Sequence, residues 1–195
     1  RVPACPDWTV AQLTAHLVGT PAALLARSYP GDDTQAWVDG HVAARAGRSA
    51  LENLAEWEEI GPGYDALLAK NEAAWGSILY DAIIHEDDLR HALGLGPAGD
   101  AIATDYAFDR LLSKLDELAC ERQIGTLHIA SGDRTWTIGS GAPAVDLRCD
   151  DRWELLRALA SRRSERRLRS MAFNADPAAW IAIAPHDLPV SDAVE

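Results

Sequence analysis

The sequence predicts a chain of two parts, a helical bundle over residues 1–100 followed by a small α+β domain over residues 101–195. In the first part, apolar residues recur at the three- and four-residue spacing of amphipathic helices. After residue 122, short segments alternate apolar and polar side chains, which is typical of β-strands. The segment 97–101 between the parts combines proline and glycine and is therefore expected to be a linker.

Four helices are expected in the first part, over residues 10–27, 34–46, 50–75 and 77–93, with a break of the third at 61–63 as an alternative. Thr9 is a good N-cap for the first of these helices, because its hydroxyl can accept a hydrogen bond from a free backbone N–H. The apolar stripe of this first helix is formed by Val10, Leu13, Leu17 and Leu24. Gly94, with Gly96 and Pro97 behind it, is expected to end the fourth helix.

The second part is expected to hold a sheet between helices. The predicted helices cover residues 102–122, 151–160, 164–170 and 177–183, and the predicted strands cover 126–130, 135–138 and 144–148. The four residues 131–134 separate the first two strands, and their glycine and aspartate favour a hairpin turn. Asp151 is the expected N-cap of the second helix in this part.

The charge and the cysteine content indicate which partners and which cellular compartment to expect. The chain carries 18 Lys and Arg against 30 Asp and Glu, a formal net charge of −12. Such a balance argues against nucleic acid and against an anionic membrane as a partner. Three widely spaced cysteines, Cys5, Cys120 and Cys149, are typical of reduced thiols. With no apolar run long enough to span a membrane and no signal-peptide pattern, we expect a cytoplasmic protein.

The most informative residues lie on the fourth predicted helix. Asp81, His85 and Asp88 are spaced i, i+4 and i+7, so they share one helical face among apolar neighbours. Burying these groups is costly unless something neutralises them, and a divalent metal is one solution. A buried His–Asp hydrogen-bonded pair without metal is the alternative. His16, at the edge of the stripe on the first helix, could supply a third ligand, giving two imidazoles and one carboxylate with open positions.

One basic cluster stands out in this acidic chain, over residues 161–169. A run of like charges is often a solvated helix face. The functional alternative is that Arg162 or Arg163 binds a substrate carboxylate, for which a planar guanidinium is well suited. The other histidines, His41, His91, His128 and His186, lack partners at ligand spacing and are weaker candidates.

Three passages carry a resemblance to a known family. They are Cys-Pro-Asp-Trp-Thr-Val-Ala-Gln-Leu-Thr-Ala-His-Leu at 5–17, Asp-Ala-Ile-Ile-His-Glu-Asp-Asp-Leu-Arg at 81–90 and Trp-Glu-Leu-Leu-Arg-Ala-Leu-Ala-Ser-Arg-Arg-Ser at 153–164, with Phe-Asn-Ala-Asp-Pro following at 173–177. In order and spacing they resemble the actinobacterial type of the mycothiol-dependent maleylpyruvate isomerase family, within the DinB-like metal-dependent superfamily.

The resemblance implies a DinB-like four-helix bundle whose first helix is missing from this chain, followed by the family's small α+β domain. It implies that His16, Asp81 and His85 hold a divalent metal, zinc or alternatively nickel, with Asp88 or Glu86 orienting a histidine. It further implies mycothiol as the thiol cosubstrate, and a catalytic arginine that would be Arg162 or Arg163. The implied activity is isomerisation of, or thiol transfer to, a small carboxylated electrophile.

Two alternatives remain open at this point. One is a non-catalytic member of the same fold that binds a metal or a small ligand as a sensor, because fold analogy is a weak warrant for a particular reaction. The other concerns assembly: a homodimer could complete the bundle across a two-fold axis.

Overall fold

A computed structural model describes residues 1–70 and 72–185, which form two compact units. The first unit is Arg1–Ala98, and the second begins at Gly99. Across the described residues the chain contains eight helices and one four-stranded sheet, so the fold is mixed α and β. None of the helices in these two stretches is both long and apolar enough to cross a membrane.

The first unit is built from four helices: α1 (Val10–Leu25), α2 (Thr34–Ala44), α3 (Ala50–Leu68) and α4 (Glu72–Ala92). Helix α1 is the central one and packs against each of the other three. Thr9 caps it as expected, and the Thr9 and Gln12 side chains form a reciprocal capping box. The buried Asn53 of α3 donates hydrogen bonds to the Ala11 carbonyl and to the Thr14 hydroxyl, which fixes α3 against α1.

The boundary expected between the third and fourth helices is wrong. Helix α3 ends at Leu68 rather than at residue 75, and α4 begins at Glu72 rather than at residue 77. Gly76 therefore lies inside α4, where a glycine costs only about 1 kcal/mol relative to alanine and does not by itself end a helix. The alternative break at residues 61–63 is also absent, since α3 runs through them with Pro62 inside.

The segment before α1 folds back on itself. Val2 is fully buried, forms an isolated bridge with Cys5 and donates its backbone N–H to the Trp8 carbonyl. This tight turn brings the side chains of Cys5 and Trp8 beside the residues of α1 and α4 that were singled out above. The segment is therefore part of the candidate site and not a free tail.

The second unit comprises α5 (Ala101–Arg122), β1 (Gly125–Ser131), β2 (Arg134–Ser140), β3 (Ala144–Arg148), α6 (Arg152–Leu159), α7 (Glu165–Ser170), β4 (Ala172–Phe173) and α8 (Ala178–Ile181). The sheet order is β2-β1-β3-β4. The predicted β1–β2 hairpin and the Asp151 N-cap of α6 are confirmed. Phe108 of α5 packs edge-on against Trp136 of β2, with ring centroids 4.9 Å apart.

Two features of the sheet depend on contacts that local patterns do not encode. Strand β3 pairs with β1 in parallel, and the two-residue β4 adds an antiparallel edge that the sequence did not predict. At the end of the hairpin, Gly139 has a positive φ of 71°. A Cβ there would lie 2.2 Å from the Gly125 carbonyl oxygen, so only glycine fits.

Candidate metal centre

Helices α1 and α4 bring the three predicted ligands together. His16 Nε2 lies 2.9 Å from Asp81 Oδ2, and His85 Nε2 lies 3.4 Å from Asp81 Oδ1. One donor atom from each residue can be chosen so that all three lie within 4.8 Å of one another. His16 is 65 residues from Asp81, so this convergence is made by the packing of α1 on α4.

The other ring nitrogen of His85, Nδ1, is held by a hydrogen bond to a carboxylate. Its Nδ1 donates to Asp88 Oδ2 at 2.8 Å, one helical turn further along α4, and Asp88 is fully buried. Cys5 Sγ lies 3.7 Å from the same Asp88 oxygen. A carboxylate behind an imidazole fixes the ring orientation and leaves the opposite nitrogen facing the ligand cluster, as in many metal sites.

Trp8 forms a wall over the two imidazoles. Its ring centroid lies 5.3 Å from that of His16 and 6.4 Å from that of His85, while the two histidine rings meet edge to face at 5.3 Å. His16 and His85 are both buried. Their positions are therefore fixed by packing before any ligand binds, which is the condition for a preorganised site.

Burial and charge act against each other at this cluster. Burial raises the pKa of the Asp81 carboxyl, but hydrogen bonds from His16 and His85 outweigh it and hold the pKa well below its usual range. Burial lowers the pKa of the His85 imidazole, whereas hydrogen bonds to Asp81 and Asp88 raise it to a net pKa well above 6.5. The cluster therefore balances carboxylate charge against a positively charged His85 imidazolium. A metal cation could replace the proton on His85.

The residues present fit a divalent metal. Donors around a tetrahedral zinc at about 2.0–2.1 Å lie roughly 3.3 Å from one another, and one donor atom from each of His16, Asp81 and His85 lies within 4.8 Å of the other two. Two imidazoles with one carboxylate leave at least one coordination position for a ligand. Among the described residues, buried His16 Nδ1 has no hydrogen-bond partner, and Nε2 is the nitrogen that faces Asp81.

The cluster borders a cavity of about 350 Å³ within the first unit. His16 and Asp81 form part of its wall, and α1, α2, α4 and the α1–α2 loop supply the rest. The other lining residues are Thr20, Leu24, Tyr29, Pro30, Thr34, Trp37, Val38, Ser77 and Ile78. A small molecule bound there would lie directly beside the candidate ligands.

The arginines singled out in the sequence lie in the second unit, and both are buried. Arg163 pairs with Glu154 at 2.7 Å, and its guanidinium carbon lies 5.2 Å from the centroid of the Trp153 ring. Arg162 donates from Nη1 to the Ala160 carbonyl at 3.2 Å. Neither is on a solvated helix face.

The remaining candidates lie away from the cluster. Glu86 is exposed and pairs with Arg90, so of the two acids proposed to orient a histidine only Asp88 bonds to His85. His41 packs against Trp37, and His128 lies at 3.1 Å from the Thr137 hydroxyl on the sheet. His91 is exposed on α4, and His186 falls outside the described residues.

Several residues at the site were not assigned a role from sequence. Cys5 reaches Asp88 across 83 residues, and Trp8 covers the two histidines. Thr20 lies one helical turn beyond His16, which is the only local signal that could have identified it. Trp37 reaches the cavity through the packing of α2, which its position in the sequence does not reveal.

Comparison with known proteins adds no relative: no family model, no curated protein and no solved structure matches this chain.

Proposed function

We propose that this chain is a metal-dependent thiol-transferring enzyme, an isomerase or an S-transferase, built on a DinB-like helical bundle. The observation that carries the proposal is the convergence of His16, Asp81 and His85. A buried carboxylate held behind one of the imidazoles supports it. The resemblance of the motifs around these residues to mycothiol-dependent maleylpyruvate isomerases supplies the reaction class and mycothiol as the cosubstrate.

A divalent metal such as zinc, when bound, lowers the pKa of a coordinating thiol and favours the nucleophilic thiolate. The residues of this chain orient the metal-binding side chains and cover them. Asp88 holds His85 in one ring orientation, Trp8 covers the imidazoles, and the adjoining cavity offers room for the reacting partner. None of the three cysteines is needed as a nucleophile in this scheme.

The reaction class is addition of the thiol sulfur to an activated carbon–carbon double bond. The S–C bond forms as the π bond breaks, and the electron pair moves onto the activating carbonyl. Rotation and loss of the thiol complete an isomerisation, whereas protonation of the carbon keeps the adduct. For the carboxylate of the electrophile we propose Arg162 or Arg163, the two arginines that the resemblance implies.

The test is turnover by zinc-loaded protein with mycothiol and two electrophiles, maleylpyruvate for isomerisation and ethacrynic acid, a carboxylated enone, for thiol transfer. We expect turnover of at least one, reduced at least a hundredfold in Asp81→Asn and unchanged in Glu86→Gln, an exposed position on the same helix. Zinc content is measured for each variant. Zinc-loaded protein that turns over neither electrophile would contradict the enzyme proposal and favour the sensor alternative.

A further inference from the structure

The cavity beside the candidate ligands is lined mainly by uncharged side chains. Apart from His16 and Asp81, its described lining is made of aliphatic, aromatic and hydroxyl side chains, with no arginine or lysine. In the metal-free protein, a carboxylate placed in it would meet no arginine or lysine side chain of the described lining and would lie near the carboxylate of Asp81. Burying an anion without a partner is costly, so in the metal-free protein the described lining favours an uncharged group over an anion.

Two buried polar atoms among the lining residues have no partner in the described part of the chain. They are the Thr20 hydroxyl and the Trp37 indole nitrogen. Thr20 is 6% exposed and lies one turn beyond His16 on α1. Buried hydrogen-bonding groups are almost always satisfied by protein, water or ligand, so these two donors are available to a ligand that brings an acceptor.

The cavity volume sets the size of that ligand. About 350 Å³ is near the lower end of small-molecule pockets and suits a single aromatic ring or a branched alkyl group. Leu24, Trp37 and Ile78 come from three different helices, so an apolar group would be enclosed from several sides.

We propose that this cavity binds an uncharged apolar group, aryl or branched alkyl, that carries a neutral carbonyl acceptor for Thr20 or Trp37. This inference rests on the proposed function for the identity of the ligand as the electrophile. The substrate class is then an aryl or alkyl enone.

The test is a titration of purified protein with acetophenone and benzoate, which have nearly the same shape but differ in charge. Ligand-observed NMR is recorded before and after removal of metal by chelation, and zinc content is measured on the same samples. We expect acetophenone to bind the chelated protein at least ten times more tightly than benzoate. Equal affinities, or no binding of acetophenone, would overturn the inference.

Variants separate the cavity from general hydrophobic binding. Trp37→Ala should weaken acetophenone binding at least tenfold, whereas Trp57→Ala, which borders a different cavity, should leave it unchanged. Thr20→Val removes the hydroxyl without changing shape, so it should weaken acetophenone severalfold and leave toluene unaffected. If Thr20→Val weakens both ligands equally, the acceptor role fails.

The two proposals fail in distinguishable ways. Protein that binds zinc but does not prefer acetophenone keeps the proposed function and loses this inference. Protein that binds acetophenone selectively but holds no zinc keeps the neutral ligand site and loses the metal-dependent reaction.

Discussion

Asp88 is the residue on which the orientation of His85 depends. It is fully buried, accepts a hydrogen bond from His85 Nδ1 and lies 3.7 Å from Cys5 Sγ. A buried carboxylate in this position raises the basicity of the imidazole and restricts its rotation. Asp88 is therefore expected to change the affinity for the metal and not the number of metal ligands.

We expect Asp88→Asn to weaken zinc binding about 10- to 100-fold, because outer partners of ligating histidines typically contribute that much. Stoichiometry at saturating zinc should stay at the wild-type value. Competition with a chromophoric chelator measures the affinity. Glu86→Gln serves as the matched control, being exposed two residues away. Wild-type affinity in Asp88→Asn would show that Asp88 does not orient a ligand.

At the scale of elements, the approach of α2 to α1 forms one wall of the cavity. Gly19 of α1 allows it: a Cβ there would lie 2.4 Å from His41 Cβ, and Arg45 is also close. Trp37 lies one turn before His41 on the same helix. The spacing of these helices therefore positions the aromatic wall of the cavity.

Gly19→Ala should destabilise the protein by about 1–3 kcal/mol, the usual range for overpacking a well-packed contact. Gly61→Ala is the matched control, since Gly61 lies inside α3 and a Cβ added there would meet no atom of the described residues within 4 Å. There, alanine should be neutral or stabilise by about 0.5–1 kcal/mol. Urea denaturation measures both, and equal effects of the two substitutions would contradict the close α1–α2 contact.

The junction of α2 and α3 is held by charge. Arg45 and Arg48 each bond to Glu56 at 2.5 Å, and the Glu56 side chain is 23% exposed. The hydrogen bond from Arg45 is the largest cause of a pKa for Glu56 held below its ordinary value of 4.5. Because the folded pKa is lowered, this contribution to stability is present above pH 4.5 and is lost as pH falls through the folded pKa.

Glu56→Gln should therefore destabilise the protein by about 1–2 kcal/mol at pH 7, as expected for loss of hydrogen bonds to charged groups. The difference from wild type should shrink as the pH falls below 4.5. Chemical denaturation at pH 7, 5 and 3.5 measures it, with Glu58→Gln, an exposed position on α3, as the control. A difference that stays constant with pH would show that ionisation of Glu56 does not stabilise the junction.

For the whole molecule, sequence was most informative where structure is local. The number of helices, the hairpin and the Thr9 and Asp151 caps follow from periodicity and capping chemistry, and they are confirmed, whereas the boundary between the third and fourth helices was wrong. The parallel β1–β3 pairing and strand β4 could not be predicted, because they depend on residues distant in the chain.

The candidate site divides in the same way. Asp81, His85 and Asp88 share a face because of helical spacing. His16 was predicted as a ligand from its position at the edge of an apolar stripe and from the resemblance. The roles of Cys5 and of the cavity residue Trp37 depend on how separate elements pack, so no local pattern indicated them.

The measurement that tests the central claim most directly is zinc content per chain, on protein purified without added metal or chelator. We expect about one zinc per chain in the wild type and in His128→Ala, an exposed sheet position, and less than a tenth of that in His85→Ala. Wild-type protein that stays metal-free even after zinc is supplied would contradict the account. His16, Asp81 and His85 would then be a buried hydrogen-bonded cluster.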